Sequence, residues 1–190
     1  MKNRIRNREF GREEVRIGQG EHFATGEDVV VSTLLGSCVS VVLIDRISRL
    51  AGMNHFLLPQ PTFSSSEFLE KPSLPLHHGS LVYSEYGRYG VHAMELLIND
   101  LLRLGALKGR LEAKVFGGSR ILALENESLL SVSDRNVEFA FGFLMNEGIP
   151  VSSHSVGGSS PRRIYLLPSL SRVYVRLGGY TQGASHDVHQ

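Results

Sequence analysis

Cys38 is the one cysteine in the chain, and it stands in the run Gly36-Ser37-Cys38. A lone thiol makes neither an intramolecular disulfide nor a thiolate zinc cluster. It is therefore either a small buried apolar residue or a nucleophile. An unassisted thiol titrates at about pH 8.5, so a nucleophile needs a base or an imidazolium beside it, and one so assisted is expected to be alkylated below pH 7. His55 follows Cys38 at the far side of one predicted strand. If Val39–Ile44 and Leu50–Leu58 pair antiparallel, the hairpin brings Cys38 and His55 to the same end. A third polar group must orient the imidazole, and Ser32 and Thr33 on the preceding strand are the candidates. Gly36 permits a tight turn, so the backbone amides at Gly36 and Ser37 are candidates to face a developing oxyanion. The bland alternative stands beside this one: Gly-Ser-Cys is a β-turn, and a histidine at a strand end is often only structural.

These residues need strands to hold them, and the local patterns supply strands. Asp28 to Leu35, Val39 to Ile44 and Leu50 to Leu58 read as three extended segments with short connections. Residues 60–80, with three prolines and three consecutive serines, read as a loop. Met94, Leu97, Ile98 and Leu101 fall at i, i+3, i+4 and i+7, opposite Glu95, Asn99 and Arg103, which predicts a helix stopped by Gly105. Ala113 to Phe116 is a short strand running into Gly117-Gly118. A second helix starts near Ser133-Asp134 and carries a buried stripe of Val137, Ala140, Phe141 and Leu144. Val151 to Val156 is a strand, and Ile164–Leu167 with Arg172–Leu177 a closing hairpin. The class is α/β or α+β, rich in strand. The expected organisation is a basic, mobile arm over 1–17, one domain over 18–177, and a disordered tail over 178–190.

At 190 residues the chain is long enough for a core that needs no metal or disulfide. A net charge of +1 argues against general nucleic-acid binding, which depends on clustered Lys and Arg. No run is long and apolar enough for a membrane span, and the basic start lacks an apolar signal region, so a cytoplasmic location is expected. Other chemistries are poorly supported. His77-His78 has no carboxylate at ligand spacing, so no metal is expected. Ser37 lacks the Gly-x-Ser-x-Gly elbow of a serine hydrolase. Gly157-Gly158-Ser159-Ser160 lacks the lysine of a phosphate loop.

The sequence resembles the CheD family of chemoreceptor glutamine deamidases. The resemblance is carried by Thr33-Leu34-Leu35-Gly36-Ser37-Cys38-Val39-Ser40-Val41 and by Gly52-Met53-Asn54-His55-Phe56-Leu57-Leu58-Pro59. It continues through Tyr89-Gly90-Val91-His92-Ala93-Met94-Glu95-Leu96-Leu97-Ile98, Ala113-Lys114-Val115-Phe116-Gly117-Gly118 and Arg135-Asn136. It covers roughly residues 20–177, with the motifs in the family's order. The resemblance implies an α/β fold: a β-sandwich-like core with outer helices in α/β/β/α layers, similar to toxin-type cysteine deamidases. It implies hydrolysis of glutamine side-chain amides on the cytoplasmic helices of chemoreceptors, giving glutamate and ammonia, with no cofactor. Some members of the family are also credited with hydrolysing glutamyl methyl esters.

The family's cysteine and histidine fall on Cys38 and His55. Its threonine falls on Ser32, with Thr33 adjacent, so a hydroxyl stands in either register. Asn54, Gly117 and Gly118 are the motif positions from which substrate contacts are expected. The chain departs from the family at Ser119-Arg120 and at Ser159-Ser160-Pro161, where the family has Asn-Tyr-Gly before the arginine that stands here as Arg162. The expected partners are a chemoreceptor cytoplasmic domain and a CheC-type phosphatase. The rival expectation is a binding module on the same scaffold, for receptor helices or such a phosphatase, with hydrolysis weak or lost.

Overall fold

The computed structural model describes residues 4–58, 87–120, 131–178 and 187–189. Among these residues, eleven strands form two sheets that pack face to face, and two α-helices lie outside. The strands are β1 (Arg4–Asn7), β2 (Arg12–Arg16), β3 (His22–Thr25), β4 (Val30–Leu35), β5 (Val39–Asp45) and β6 (Leu50–Asn54). They continue as β7 (Glu112–Gly117), β8 (Val151–Val156), β9 (Arg162–Leu167), β10 (Arg172–Leu177) and β11 (Asp187–His189). One sheet runs β1-β2-β4-β9-β10-β11 and the other β3-β6-β5-β7-β8. The helices are α1 (Gly87–Arg103) and α2 (Val132–Asn146).

The strand period of two sorts the side chains into layers. Along β5, Val39, Val41 and Leu43 join the core beneath the helices, while Val42 and Ile44 join the core between the sheets. Along β4, Val31 and Leu35 face the other sheet and Val30 faces outward. Strand β5 is buried throughout, as a central strand covered on both faces must be. Both helices cover the five-stranded sheet: α1 packs on β3, β6 and β5, and α2 on β7, β5 and β8. Among the described residues no helix covers the six-stranded sheet, so the layers seen are helix, sheet, sheet. On its outer face Phe10 packs against Tyr165 and Tyr174 at ring separations of 5.2 and 5.3 Å.

The α1 stripe lies as the period requires, with Met94, Leu97 and Leu101 fully buried and Ile98 nearly so. Helix α2 begins two residues earlier than Ser133 suggested. Ser131 is its N-cap and forms a reciprocal capping box with Asp134. Its buried face carries Phe139, Ala140, Phe143 and Leu144, with Val137 and Phe141 only partly covered.

The start of the chain corrects the expectation of a mobile basic arm. Residues 4–16 fold into the β1–β2 hairpin, and β2 runs parallel to β4. Alternation hid this, because Val15 is the one apolar residue β2 sends into the core while Arg12, Glu14 and Arg16 face outward. Of the expected tail, Asp187–His189 pair with β10 as an added edge strand. The loop expected over 60–80, with His77-His78, lies outside the described residues.

Candidate active site

Strand pairing alone decides which side chains meet. Strands β5 and β6 form the expected antiparallel hairpin, and beyond β6 the pairing continues as a bridge between Val39 and Phe56. Those two residues exchange both backbone hydrogen bonds, at 3.0 and 2.9 Å. In such a pair Cys38 and His55 are diagonal neighbours on one side, a separation that longer side chains span. That side faces the gap between the sheets, where Cys38 packs against the inter-sheet core. From the opposite sheet β4 contributes Thr33, between Val31 and Leu35 on the same inward face. Ser32 is one residue away and must face outward.

The contacts follow this geometry. Thr33 Oγ1 lies 2.8 Å from His55 Nδ1 and 2.8 Å from the carbonyl oxygen of Ile17. A carbonyl only accepts and a hydroxyl has one proton, so Thr33 donates to Ile17 and accepts from His55 Nδ1–H. This fixes the tautomer: Nε2 carries the free lone pair. His55 Nε2 is buried and has no hydrogen-bond partner among the described residues. The His55 backbone is also held, its N–H donating to Glu21 O at 2.9 Å and its carbonyl accepting from Gly20 N at 2.7 Å. Ser32 instead donates to the buried Glu14 carboxylate at 2.5 Å, on the far side of the sheet. The hydroxyl that meets His55 is therefore Thr33, one register on from the position the family resemblance implied.

The turn carrying Cys38 is pinned through its carbonyls. Ser119 N donates to Gly36 O, and Gly118 N to Cys38 O, both at 2.8 Å. Asn136, fully buried near the start of α2, donates to Ser37 O at 3.0 Å and accepts from Leu58 N at 2.8 Å. With these carbonyls turned into the protein, the amides of Ser37 and Cys38 donate to no other described residue, the Cys38 N–H facing its own thiol, as oxyanion donors beside the sulfur require. Gly117 and Gly118 serve this packing rather than offering side-chain chemistry. Gly117 has φ of 110°, and a Cβ there would lie 2.1 Å from the Cys38 carbonyl oxygen. Gly118 has φ of 65°, and its Cβ would meet Val137 at 2.4 Å.

Asn54 turns away from the cysteine. It accepts from Val41 N at 2.8 Å and donates to Ala93 O at 3.3 Å beneath α1, so it ties β5, β6 and α1 together. Its role here is to hold elements, and a substrate contact is not what its burial permits.

Both positions where the chain departs from the family turn out to be structural supports. Ser119 Oγ donates to Ser160 O at 2.7 Å and accepts from Arg162 Nη2 at 3.0 Å. The Arg162 guanidinium, 4 % exposed, also donates to the carbonyls of Ser155 and Gly157. It thus clamps the β8–β9 turn onto the segment that holds Gly36. Burial lowers the pKa of this guanidinium, and no carboxylate pairs with it among the described residues. Arg162, Asn136 and the Ile17 carbonyl were not identified as site residues from sequence. Asn136 and Arg162 each left a signal, as part of a family motif.

Electrostatics set the resting state. Burial pushes the Cys38 thiol above its ordinary value, with its own backbone N–H pulling the other way. Burial pushes His55 down to about 4, against the opposing influence of the Glu21 carboxylate. The resting pair is therefore a thiol and a neutral imidazole. This corrects the expectation that an assisted Cys38 is alkylated below pH 7, because burial raises the thiol. The arrangement suits a thiol that loses its proton to Nε2 as it attacks. No group of three metal-ligating side chains occurs among the described residues, and no helix among them is long and apolar enough to cross a membrane.

Comparison with known proteins assigns the fold to a family. The family model described as CheD chemotactic sensory transduction matches residues 74–177. The chain belongs to the CheD family. It is 41 % identical over 174 residues to the probable chemoreceptor glutamine deamidase CheD 1 of Shewanella oneidensis, covering 92 % of this chain and 77 % of that protein. It is 40 % identical over 167 residues to the probable chemoreceptor glutamine deamidase CheD of Ralstonia nicotianae, covering 88 % and 64 % respectively. A third relative, of the same description, from Cupriavidus metallidurans, is 38 % identical over 170 residues, covering 90 % and 70 %.

Proposed function

We propose that this protein hydrolyses the side-chain amide of particular glutamines on chemoreceptor cytoplasmic helices, as a cysteine amidohydrolase of the cytoplasm. The relatives' descriptions support the activity and substrate. The observation that carries the mechanism is the Thr33–His55 hydrogen bond, which leaves Nε2 basic on the face it shares with Cys38. Cys38 Sγ attacks the glutamine Cδ while its proton passes to His55 Nε2. The carbonyl π electrons move onto oxygen, and the amides of Ser37 and Cys38 receive that charge. The tetrahedral intermediate collapses by breaking the C–N bond, and the imidazolium protonates the departing nitrogen to ammonia. Water, deprotonated by His55, then attacks the γ-glutamyl thioester and releases glutamate, and the sulfur leaves and is reprotonated. No cofactor takes part in this sequence.

The test is mass spectrometry of a chemoreceptor cytoplasmic fragment incubated with the wild type or with Cys38→Ala. Site-specific Gln-to-Glu conversion by the wild type alone is the expected result; equal conversion by Cys38→Ala refutes the mechanism. A CheC-type phosphatase as a further partner is supported by the family resemblance, and co-purification with such a phosphatase tests it.

A further inference from the structure

Beside Cys38 lies a groove of about 340 Å3 that the chemistry above leaves unused. Gln19 stands at its mouth: the side chain lines the groove, and its Oε1 lies 3.9 Å from Cys38 Sγ. Phe56 and Leu57 form the adjoining wall, and Phe56 is the residue bridged to Val39. The opposite wall is α1, which presents Tyr89, His92, Ala93 and Leu96. These fall at i, i+3, i+4 and i+7, so they make one continuous ridge along the helix. It is a different ridge from the buried Met94, Leu97 and Leu101. Tyr89 is 69 % exposed, so its ring is open to an incoming partner.

Three properties define what fits there. The groove reaches the nucleophile through Gln19, which lines it and whose Oε1 lies 3.9 Å from Cys38 Sγ, so an occupant lies next to the reacting group. Among the described residues its walls hold no carboxylate, lysine or arginine, which suits an occupant with an uncharged face. One wall is a helix ridge of regular spacing, which packs best against the regular ridge of another helix. We propose that this groove seats an uncharged face of the α-helix that carries the target glutamine, with Gln19 at the point where that side chain leaves the helix for Cys38. The Gln19 carbonyl then accepts from the carboxamide NH2. The inference rests on the deamidase reading and adds to it the surface by which the substrate is recognised.

The test uses the full chain with Tyr89→Ser, Leu96→Gln and both together. Neither residue contacts the Cys38 turn, and neither variant changes the charge near the sulfur. The fold is checked by thermal melting, and the integrity of the nucleophile by the rate at which iodoacetamide alkylates Cys38. With a chemoreceptor cytoplasmic fragment as substrate, the double variant is expected to lose roughly tenfold or more in kcat/KM, mainly through KM, at an unchanged alkylation rate. Tyr89→Phe, which keeps the ring, is expected to stay near the wild type. Conversion by all variants at the wild-type rate overturns the groove and leaves the deamidase reading intact. A wild type that converts no glutamine in the fragment refutes the deamidase reading, and the groove inference falls with it. If Leu96→Gln fails to fold, the exposed Tyr89→Ser decides alone.

Discussion

Thr33→Val removes one hydroxyl and keeps the shape of the side chain, so it deletes the contact that orients His55 together with the bond to the Ile17 carbonyl. In the wild type, Thr33 Oγ1 accepts from His55 Nδ1–H at 2.8 Å while donating to Ile17 O at the same distance. During attack the imidazole becomes an imidazolium, and the Nδ1–H bond becomes charge-assisted. Such a bond contributes about 1.5–3 kcal/mol. The neutral bond of the ground state contributes about 0.5–1.5 kcal/mol, so the differential loss of about 1–1.5 kcal/mol corresponds to a decrease in kcat of roughly 5–13-fold. The ground state loses less, because a neutral imidazole donates more weakly, so the defect is expected in kcat more than in KM. Thr33→Ser keeps the hydroxyl and is expected to recover most of the rate. Ser32→Ala is the control from the neighbouring register. It removes one of the three donors to the buried Glu14 carboxylate, the others being Asn7 at 2.9 Å and Arg16 at 3.0 Å. It is expected to cost stability, about 1–3 kcal/mol, and to leave kcat nearly unchanged. The assay is the rate of glutamine-to-glutamate conversion followed by mass spectrometry, with urea unfolding for stability. A Ser32→Ala loss of rate larger than that of Thr33→Val would refute the assignment of the orienting hydroxyl.

Three further outcomes follow from the same geometry. His55 titrates at about 4 when folded against about 6.5 when unfolded, so below pH 6.5 the unfolded chain takes up a proton that the folded chain refuses. Stability is therefore lost as pH falls from 6.5 towards 4, by about 3 kcal/mol from this group; urea unfolding of His55→Gln is expected to lack that part of the slope, and an identical slope would show that His55 is not buried neutral. Because burial raises the Cys38 thiol, its alkylation by iodoacetamide is expected to climb on the alkaline side of an ordinary thiol, and a midpoint below pH 7 would contradict the neutral resting pair. Gly117→Ala forces a Cβ against the Cys38 carbonyl at a positive φ, so a loss of about 3 kcal/mol or more with a fall in activity is expected in unfolding and turnover assays; wild-type behaviour would mean that the turn can shift freely.

Periodicity made most of this fold legible. The α1 stripe of Met94, Leu97, Ile98 and Leu101 is buried as its spacing requires, and β4, β5, β7, β8, β9 and β10 lie where the β-branched runs do. What escaped was the hairpin of β1 and β2, because β1, at the sheet edge, has one apolar residue and β2 sends one inward, too little apolar pattern to read. Its polar residues are not solvated at random. Glu14 is 2 % exposed and satisfied by Asn7, Ser32 and Arg16, a network assembled from three strands that no local window spans.

The site was legible in its elements but not in its register. Residue type and hairpin geometry could pair Cys38 with His55 and require a hydroxyl, yet they left Ser32 and Thr33 equal. What separates them is parity. Val31 and Leu35 face inward, so Thr33, even-spaced between them, must as well, and Ser32 cannot. The inward apolar residues of β4 therefore select the polar residue that works on His55. The supports behind the nucleophile had no such local rule. Arg162 stands opposite Leu35 in the β4–β9 ladder, and its inward parity carries a guanidinium into the core, where carbonyls of Ser155 and Gly157 and the Ser119 hydroxyl receive it. A charged residue at an inward position is costly unless such partners exist. In a two-sheet sandwich, then, an Arg or Asn whose strand parity or helix face places it inside marks a turn being held in shape. Here Arg162 holds the segment that grips Gly36, and Asn136 holds the carbonyl of Ser37 itself.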